Sequence, residues 1–289
     1  MDIFVLDKSF NRTALIDIYD SFIWTDRYYD YGDFELVVPA NEKMLSILKK
    51  DLYLSINDSE FTMIIEGIEL KTSLEEGNVL IVTGRDLTSI LDRRIVWQQT
   101  QCKGDFQNQI KKLLNENLIS PTDSARRIPN LIFQASTDPK ITALTVDTQF
   151  TGDNIFESIK KLCKHERVGF KITLNANKQM VFKLYMGVDR TFNQTENTAI
   201  EFSPRFDNLL NTDYVTSNKP YKNVTLIGGE GEGAERRFST LGDATGLDRR
   251  EIFTDARSVS SKVTDDQGNQ VEISDADYNS QLQQKGQET

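Results

Sequence analysis

The sequence predicts a β-rich α+β protein with two or three compact units. Its 289 residues exceed the usual size of one hydrophobic core. Residues 1–100 contain six short runs rich in Val, Ile, Leu, Phe and Tyr, a composition typical of strands. Residues 153–187 contain one amphipathic run followed by two alternating runs, which predicts a helix and a β-hairpin.

The first hundred residues predict a small barrel or sandwich. The six strand-like runs are MDIFVLD, TALIDIY, FELVVP, LYLSI, FTMIIEGIEL and NVLIVTG. In TALIDIY and FELVVP the apolar and polar residues partly alternate, as one buried and one solvated face require. Two short helices interrupt the strands: Asn41 can cap NEKMLSILKK, with Met44, Leu45 and Leu48 on one face, and Asp86 can cap DLTSILDRR.

Beyond this unit the periodicity changes to that of helices. Phe106, Ile110, Leu113 and Leu114 follow the i, i+4, i+7, i+8 spacing and predict an amphipathic helix from about 105 to 117. The segment SPTDSARRIPN contains two prolines and predicts a loop, which the strand LIFQAS follows.

A second helix is predicted to begin within residues 151–153. Its inner face consists of Ile155, Phe156, Ile159, Leu162 and Cys163. The alternating runs VGFKITL and MVFKLYMG follow it and are joined by NANKQ, so they form the predicted hairpin.

The remainder of the chain predicts a second small β unit and a polar end. Strands are expected near AIEFS, TDYVTS and KNVTLIGG, followed by a Gly-rich and charged loop and the strand REIFTDA. A helix is expected after Ser274, with Asp275 and Asp277 in its first turn. This helix shows no apolar face worth burying, so we expect the chain to stop before its last domain is complete.

The charge of the chain disfavours nucleic-acid binding. With 34 basic and 44 acidic residues the formal net charge is −10, whereas phosphate backbones are bound by clustered Lys and Arg. The same balance suits a passage through which DNA slides without sticking. No apolar run approaches the length of a membrane span and the start MDIFVLDKSF has no basic leader, so we expect cytoplasmic synthesis without a signal peptide.

Cysteine and histidine give no catalytic or metal pattern. Cys102 and Cys163 form no CxxC motif, and we expect both to be small buried hydrophobic residues. His165 is the one histidine and cannot supply a zinc site by itself. It lies two positions from Cys163 on a predicted helix, so the two side chains point to different sides. We therefore predict no catalytic, cofactor-binding or metal-binding residue and no cofactor.

The segment Gly228–Gly233 superficially resembles a phosphate-binding loop. No Lys-Ser/Thr pair follows it, and Glu230 and Glu232 would repel a phosphate. We expect a flexible turn after the strand NVTLI, with a contact loop toward a neighbouring subunit as the alternative.

Two functional alternatives remain open at this point. Any pair among the many carboxylates could be chosen for a wall-degrading enzyme, so that pattern has no specificity. Trp24, Tyr28, Tyr29 and Tyr31 could stack on a sugar in a carbohydrate-binding adhesin. In a strand-rich segment such aromatic residues are more often core or subunit interface.

Several long strings resemble one protein family in order and spacing. They are DSFIWTDRYYDYGDFELVVPAN, YMGVDRTFNQ, IEFSPRFDNLLNTDY, YKNVTLIGGEGEG followed by Arg236 and Arg237, and GLDRREIFTDAR. They resemble the Gp37-like family of siphophage tail-tip hub proteins. That family is related to the N-terminal part of tail-associated lysins and is similar to the baseplate hub proteins of contractile phages. The resemblance covers nearly the whole chain.

The resemblance implies a fold of two small β-barrels with an α+β insertion. It implies a non-enzymatic structural subunit at the virion tail tip, made in the bacterial cytoplasm, whose homotrimer forms a pseudo-sixfold ring that caps the tail tube and lets DNA pass. The implied partners are the distal tail protein ring, the tape measure protein and a tail fibre or receptor-binding protein. Lytic activity is not implied, because the residues that would perform it lie outside this chain.

The resemblance also suggests residues and boundaries. Asp189 with Arg190, and Asp248 with Arg249 and Arg250, become candidates for charged contacts at domain or subunit junctions, with solvated loop charges as the alternative. The predicted domains are 1–100, a first β-barrel-like domain; 101–192, an α+β domain; 193–260, a second β-barrel-like domain; and 261–289, a polar, partly helical segment.

Overall fold

The chain forms two compact units, residues 1–185 and residues 186–289. The computed structural model describes residues 2–73, 77–209, 211–264 and 269–288. The division of the sequence into four domains stays a prediction, and the two units are described separately below.

The first unit contains strands β1 to β12 and helices α1 to α4. The strands are β1 Ile3–Leu6, β2 Arg12–Ile16, β3 Ser21–Thr25, β4 Asp33–Pro39, β5 Tyr53–Ile56, β6 Thr62–Ser73, β7 Gly77–Asp86, β8 Thr100–Asp105, β9 Leu131–Gln134, β10 Thr145–Phe150, β11 Gly169–Leu174 and β12 Met180–Tyr185. The helices are α1 Glu42–Ile47, α2 Phe106–Leu114, α3 Pro139–Thr142 and α4 Ile155–His165.

A seven-stranded antiparallel sheet in the order β2-β1-β5-β6-β7-β4-β3 forms the first part of this unit. Strands β2 and β3 lie at opposite ends of the order, yet Ala14 of β2 and Trp24 of β3 pack against the same core. The sheet is therefore rolled around that core. All six strands predicted in this region form, and β3, which the sequence reasoning missed, completes the sheet.

Alternation along the strands directs side chains into the rolled sheet. Phe34, Leu36 and Val38 of β4 are buried, with the intervening residues less so. Gly84 of β7 is required by close approach, because a Cβ there would lie 1.7 Å from the carbonyl oxygen of Ile64.

The two short helices begin at their predicted caps. The Asn41 side chain accepts a hydrogen bond from the Met44 N–H (2.9 Å) at the start of α1. The prediction that Leu45 shares the buried face is wrong: Met44 and Leu48 are buried and Leu45 is exposed. Asp86 caps the second helix, which is a 3-10 helix over Leu87–Arg93.

Helix α2 confirms the amphipathic pattern of the sequence. Phe106, Ile110, Leu113 and Leu114 are all fully buried. The α-helix ends at Leu114 and continues as a π-helical turn to residue 119, whereas the sequence predicted a helix to about 117.

Helix α4 and the hairpin β11–β12 also form as predicted. The buried face of α4 includes all five predicted residues, and Asn154 caps the helix by accepting from the Glu157 N–H (3.2 Å). Strands β11 and β12 pair antiparallel, with β9 parallel to β12. The paired strands β8 and β10 were missed, because TQCKGD and TVDTQF are too polar to read as strands.

The second unit contains a small sheet covered by a helix. Its elements are β13 Val224–Gly228, β14 Phe238–Leu241, β15 Glu251–Asp255, β16 Lys262–Thr264, β17 Gln270–Glu272 and α5 Asp275–Gln287. The sheet order is β14-β13-β15, with β14 antiparallel and β15 parallel to β13, and β16 pairs with β17. The predicted strands at AIEFS and TDYVTS do not form in this chain. That part of the prediction is wrong, because neither segment finds a strand to pair with.

Helix α5 begins after Ser274 as predicted, but the expectation that it has no face to bury is wrong. Tyr278 and Leu282, one turn apart, pack with Ile227 of β13 in the core of this unit. Gly286 allows the close approach, since a Cβ there would lie 2.5 Å from Ile227 Cδ1. In the part of the chain that the structure describes, the helices are too short or too polar to cross a membrane.

Candidate assembly interface

The Gly-rich segment Gly228–Gly233 is a folded connection between β13 and β14. The Tyr278 hydroxyl accepts a hydrogen bond from the Glu230 N–H (2.8 Å) and donates to the carbonyl of Val259 (3.3 Å). Gly229 makes room for this ring, because a Cβ there would lie 2.3 Å from the hydroxyl oxygen. The segment is therefore a turn, as the sequence predicted, but it is held against α5 by these hydrogen bonds and not flexible as expected.

Arg236 holds the same turn from the other side. Its guanidinium donates to the carbonyls of Gly228 (2.9 Å) and Gly229 (3.1 Å) and to the carboxylate of Asp255 (2.8 Å). Hydrogen bonds from Arg257, with the added charge of Arg236, lower the pKa of Asp255 to about 2. The carboxylate stays ionised at any working pH and keeps Arg236 in place.

One face of the sheet β14-β13-β15 carries uncovered apolar side chains. Leu226 pairs with Phe253, and Gly228 pairs with Phe238, so these residues share one face, opposite α5. Leu226, Phe238 and Phe253 are 43%, 50% and 50% exposed, and we call them the outer sheet face. Arg236 lies between the two phenylalanine rings, 5.8 Å and 5.3 Å from their centroids.

Residues 187–222, here called the arm, precede this sheet and join it near Arg250, which donates a hydrogen bond to the carbonyl of Asn218. None of the described arm residues is buried, and the regular structure described in it is a single 3-10 turn. The arm carries large apolar side chains that are 46–87% exposed: Val188, Phe192, Ile200, Phe202, Phe206, Tyr214, Val215 and Tyr221. Exposed apolar surface on this scale marks an interaction site.

Two stretches of the arm, residues 201–208 and 212–216, differ in the hydrogen bonds of their backbone. The Asn208 side chain donates to the carbonyl of Glu201 (2.9 Å) and accepts from the Ser203 N–H (2.8 Å), which ties the first stretch into a loop. Within the described residues, the backbone of 212–216 makes no hydrogen bond. The backbone groups of the second stretch are thus open to a partner.

A comparison with family models decides the family. The model described as "Siphovirus ReqiPepy6 Gp37-like protein" matches residues 2–289. The chain belongs to this family. The resemblance seen in the sequence strings is therefore confirmed. A comparison with curated proteins gives no match.

Two solved tail proteins align with this Gp37-like chain. The prophage tail protein gp18 from Listeria monocytogenes EGD-e aligns with a TM-score of 0.50 at 13% identity, over 89% of this chain and 73% of that one. The tail protein from Neisseria meningitidis MC58 aligns with a TM-score of 0.48 at 13% identity, over 89% of this chain and 72% of that one. Because the sequence identity is 13%, the likeness to gp18 shows a shared β-rich α+β fold and nothing further.

In this Gp37-like chain the first predicted pair of junction charges makes local contacts. Asp189 Oδ1 accepts from the Thr191 N–H (2.8 Å), and Arg190 donates to the carbonyl of Thr198 (3.3 Å). Both side chains shape a loop of the arm. Their role at a subunit junction stays a prediction.

The second group, Asp248–Arg250, also has contacts inside its own unit. Arg249 forms an ion pair with Glu251 at 2.5 Å. Arg250 donates to the carbonyl of Asn218 (2.8 Å) at the end of the arm. This last contact fixes where the arm joins the sheet.

The aromatic group proposed for sugar stacking is divided between two places. Trp24 packs between Phe22 and Phe34, at centroid distances of 5.7 Å and 6.5 Å, and its Nε1 donates to Asp26 (3.1 Å). This ring belongs to the rolled sheet and its core.

The three tyrosines lie where the rolled sheet meets the α+β part. Tyr28 contacts Tyr29 and Tyr185 edge-on at 4.6 Å and 5.2 Å, and Tyr31 packs on Phe156 at 4.8 Å. Their rings are used in packing within the first unit. The core interpretation of this group is therefore favoured over a sugar platform.

The titratable candidates lie in positions that do not suit nucleophilic catalysis. Cys102 and Cys163 are unbridged and buried, as predicted. Burial raises the pKa of the Cys163 thiol, the opposite of the change that activates a cysteine. His165 Nδ1 lies 3.7 Å from the Glu166 carboxylate at the end of α4. Over the described ranges no three carboxylate, thiol or imidazole groups converge as a metal site requires.

Sequence reasoning missed the outer sheet face and the exposure of the arm. The signal was present in the predicted strands AIEFS and TDYVTS, which have strand composition but pair with no strand among the residues that the structure describes. Pairing is a tertiary property, so composition alone did not reveal that these strands would remain open.

Proposed function

We propose that this protein is a structural subunit of the siphophage tail tip, where three copies form a ring that caps the tail tube and lets DNA pass on infection. Membership of the Gp37-like family across residues 2–289 carries the proposal. The fold shared with the prophage tail protein gp18 supports it. The distal tail protein ring, the tape measure protein and a tail fibre or receptor-binding protein are the proposed neighbours.

Ring assembly needs apolar surface that one copy alone leaves uncovered. The arm and the outer sheet face both offer such surface on the second unit. Their presence favours a protein that works in an assembly.

The charge of the chain suits the proposed passage of DNA. The formal net charge is −10, and like charge keeps a phosphate backbone from binding tightly to the wall of a channel. We expect an acidic lumen in the assembled ring. A lumen lined by Lys and Arg would contradict this part of the proposal.

The test combines location and mass. Antibody labelling and cryo-electron microscopy of purified virions should place the protein at the tail tip, and the purified protein should have three times the 33.0 kDa chain mass. A protein absent from virions would overturn the proposal. Zymography on peptidoglycan is the control for the wall-degrading alternative, and we expect no clearing.

A further inference from the structure

We infer that the arm of one copy pairs, through Thr212–Ser217, with the open edge of β14 in the neighbouring copy. This inference deepens the proposed function and rests on it for the ring. It names the interface that joins the copies and the segment that forms it.

The segment that one copy would donate, Thr212–Ser217, has the composition of a strand but is not paired as one. Thr, Tyr and Val favour the extended conformation, and Thr212–Ser217 contains two threonines with Tyr214 and Val215. Its backbone from 212 to 216 makes no hydrogen bond within the described residues. Tyr214 and Val215 are 87% and 80% exposed. A partner from outside the chain would satisfy both the backbone and the side chains.

The receiving edge is β14, Phe238–Leu241. Among the described residues it pairs with β13 on one side, and no strand covers its other side. An uncovered strand edge is a template for another chain, and proteins normally protect it. A strand added here would lie beside Phe238 and extend the outer sheet face.

The apolar area suits a stable interface. Five aromatic side chains of the arm are 56–87% exposed: Phe192, Phe202, Phe206, Tyr214 and Tyr221. Since a buried aromatic side chain covers roughly 150–250 Å², the five can bury on the order of 600 Å². Standard interfaces bury about 800 Å² per partner. The apolar area of the arm is thus of the same order as one partner's share of a standard interface.

A second copy of this chain is the occupant that the geometry favours. Every copy carries both an unpaired strand segment and an open β14 edge, so exchange between identical copies satisfies both at once. A head-to-tail exchange of this kind closes into a ring when the rotation between copies allows it.

Proline substitutions test the backbone pairing. Adjacent strand residues direct their N–H groups to opposite edges, so either Tyr214→Pro or Val215→Pro must remove a ladder hydrogen bond. We expect at least one of them to raise the concentration for half-assembly tenfold or more in mass photometry. Thr195→Pro, at an exposed arm position outside the segment, is the matched control and should assemble as wild type. Circular dichroism should remain unchanged in all three.

Cross-linking tests the partner. We expect the double variant Val215→Cys with Thr240→Cys to give dimers and trimers with a short bismaleimide, which tolerates a register shift of a residue or two. The native cysteines are buried and do not compete. The pair Thr195→Cys with Thr240→Cys is the control and should remain monomeric on the denaturing gel.

The outcomes separate this inference from the proposed function. Cross-linking within single chains, wild-type assembly of both proline variants, or a wild-type protein that stays monomeric would overturn the strand exchange. Tail-tip labelling that persists in either of the first two cases would leave the proposed function intact, whereas a wild-type monomer would also contradict the proposed three-copy ring. Cross-linked rings from a protein absent from virions would overturn the function and keep the exchange.

Discussion

A single carboxylate, that of Asp86, fixes a junction inside the first unit. It accepts hydrogen bonds from the N–H groups of Gly32 and Thr88, and the Thr88 hydroxyl accepts from the Ile172 N–H (3.1 Å). The rolled sheet, the 3-10 helix and β11 thus meet at this group. Burial, which withdraws water from the charged form, raises the pKa of Asp86 to about 6.

The raised pKa of Asp86 predicts a pH dependence of stability. The folded state binds the proton more tightly than an unfolded aspartate with its pKa of 3.8, so the contribution is present below pH 4 and lost as pH rises through 6. Between these values we expect the free energy of unfolding to fall by about 3 kcal/mol relative to Asp86→Asn. Urea unfolding across this range measures it. Parallel pH profiles of the two proteins would contradict it.

Gly84 predicts a second effect at the residue scale. Gly84→Ala forces a Cβ against the backbone of β6 and should cost more than about 3 kcal/mol, since the backbone at Ile64 must move. Gly77→Ala is the control: its φ of 75° strains an alanine, but nothing lies within 4 Å, so the cost should be about 1–2 kcal/mol. If Gly84→Ala and Gly77→Ala lose the same stability in thermal unfolding, the backbone around Gly84 relaxes freely to accept the Cβ.

At the scale of elements, helix α5 covers one face of the small sheet in the second unit. Leu282 and Tyr278 form its core with Ile227, and Tyr278 also holds the Gly-rich turn. The helix is polar overall, and Tyr278 and Leu282 are the apolar side chains on its buried side, which also includes Gln281, Lys285 and Gly286.

Leu282→Ala should therefore destabilise the second unit. Removal of a fully buried leucine side chain costs about 2–5 kcal/mol. The loss should appear as faster hydrogen exchange in β13 and α5, with the first unit unaffected. Gln283→Ala, at an exposed position of the same helix, is the control and should exchange as wild type. Uniform exchange in both variants would place the core of this unit elsewhere.

For the whole molecule, the arm is the segment most open to proteases. It forms the first part of the second unit and buries none of its described residues. We expect trypsin to cut first after Arg190, Arg205 and Lys222 and to leave resistant fragments near 1–190 and 223–289. Mass spectrometry of short digests identifies the sites.

Two comparisons sharpen that proteolysis experiment. A variant with Gln at those three positions should survive as an intact chain for longer. Assembled protein should be cut more slowly than dilute monomer, because the inferred pairing of 212–217 would cover part of the arm. First cuts inside the rolled sheet would contradict the prediction.

Periodic elements could be predicted because their signals are local. Helices α2 and α4 each repeat apolar residues over two or more turns, and their buried faces include every residue that the sequence predicted, with Gln107 and Ser158 in addition. Strands β8 and β10 escaped prediction because their polar side chains are held by pairing with each other. The candidate interface was visible only as the strand-like strings AIEFS and TDYVTS.

The sequence by itself determined the family, the β-rich α+β class, the helix caps at Asn41 and Asp86 and the amphipathic faces. Spacing and capping act over a few residues, so they can be read along the chain. Tertiary structure decided which strands pair, that α5 buries Tyr278 and Leu282, and that the arm and outer sheet face remain uncovered. These properties depend on contacts between distant residues, because a strand or a helix face gains its stability only from the surface it meets.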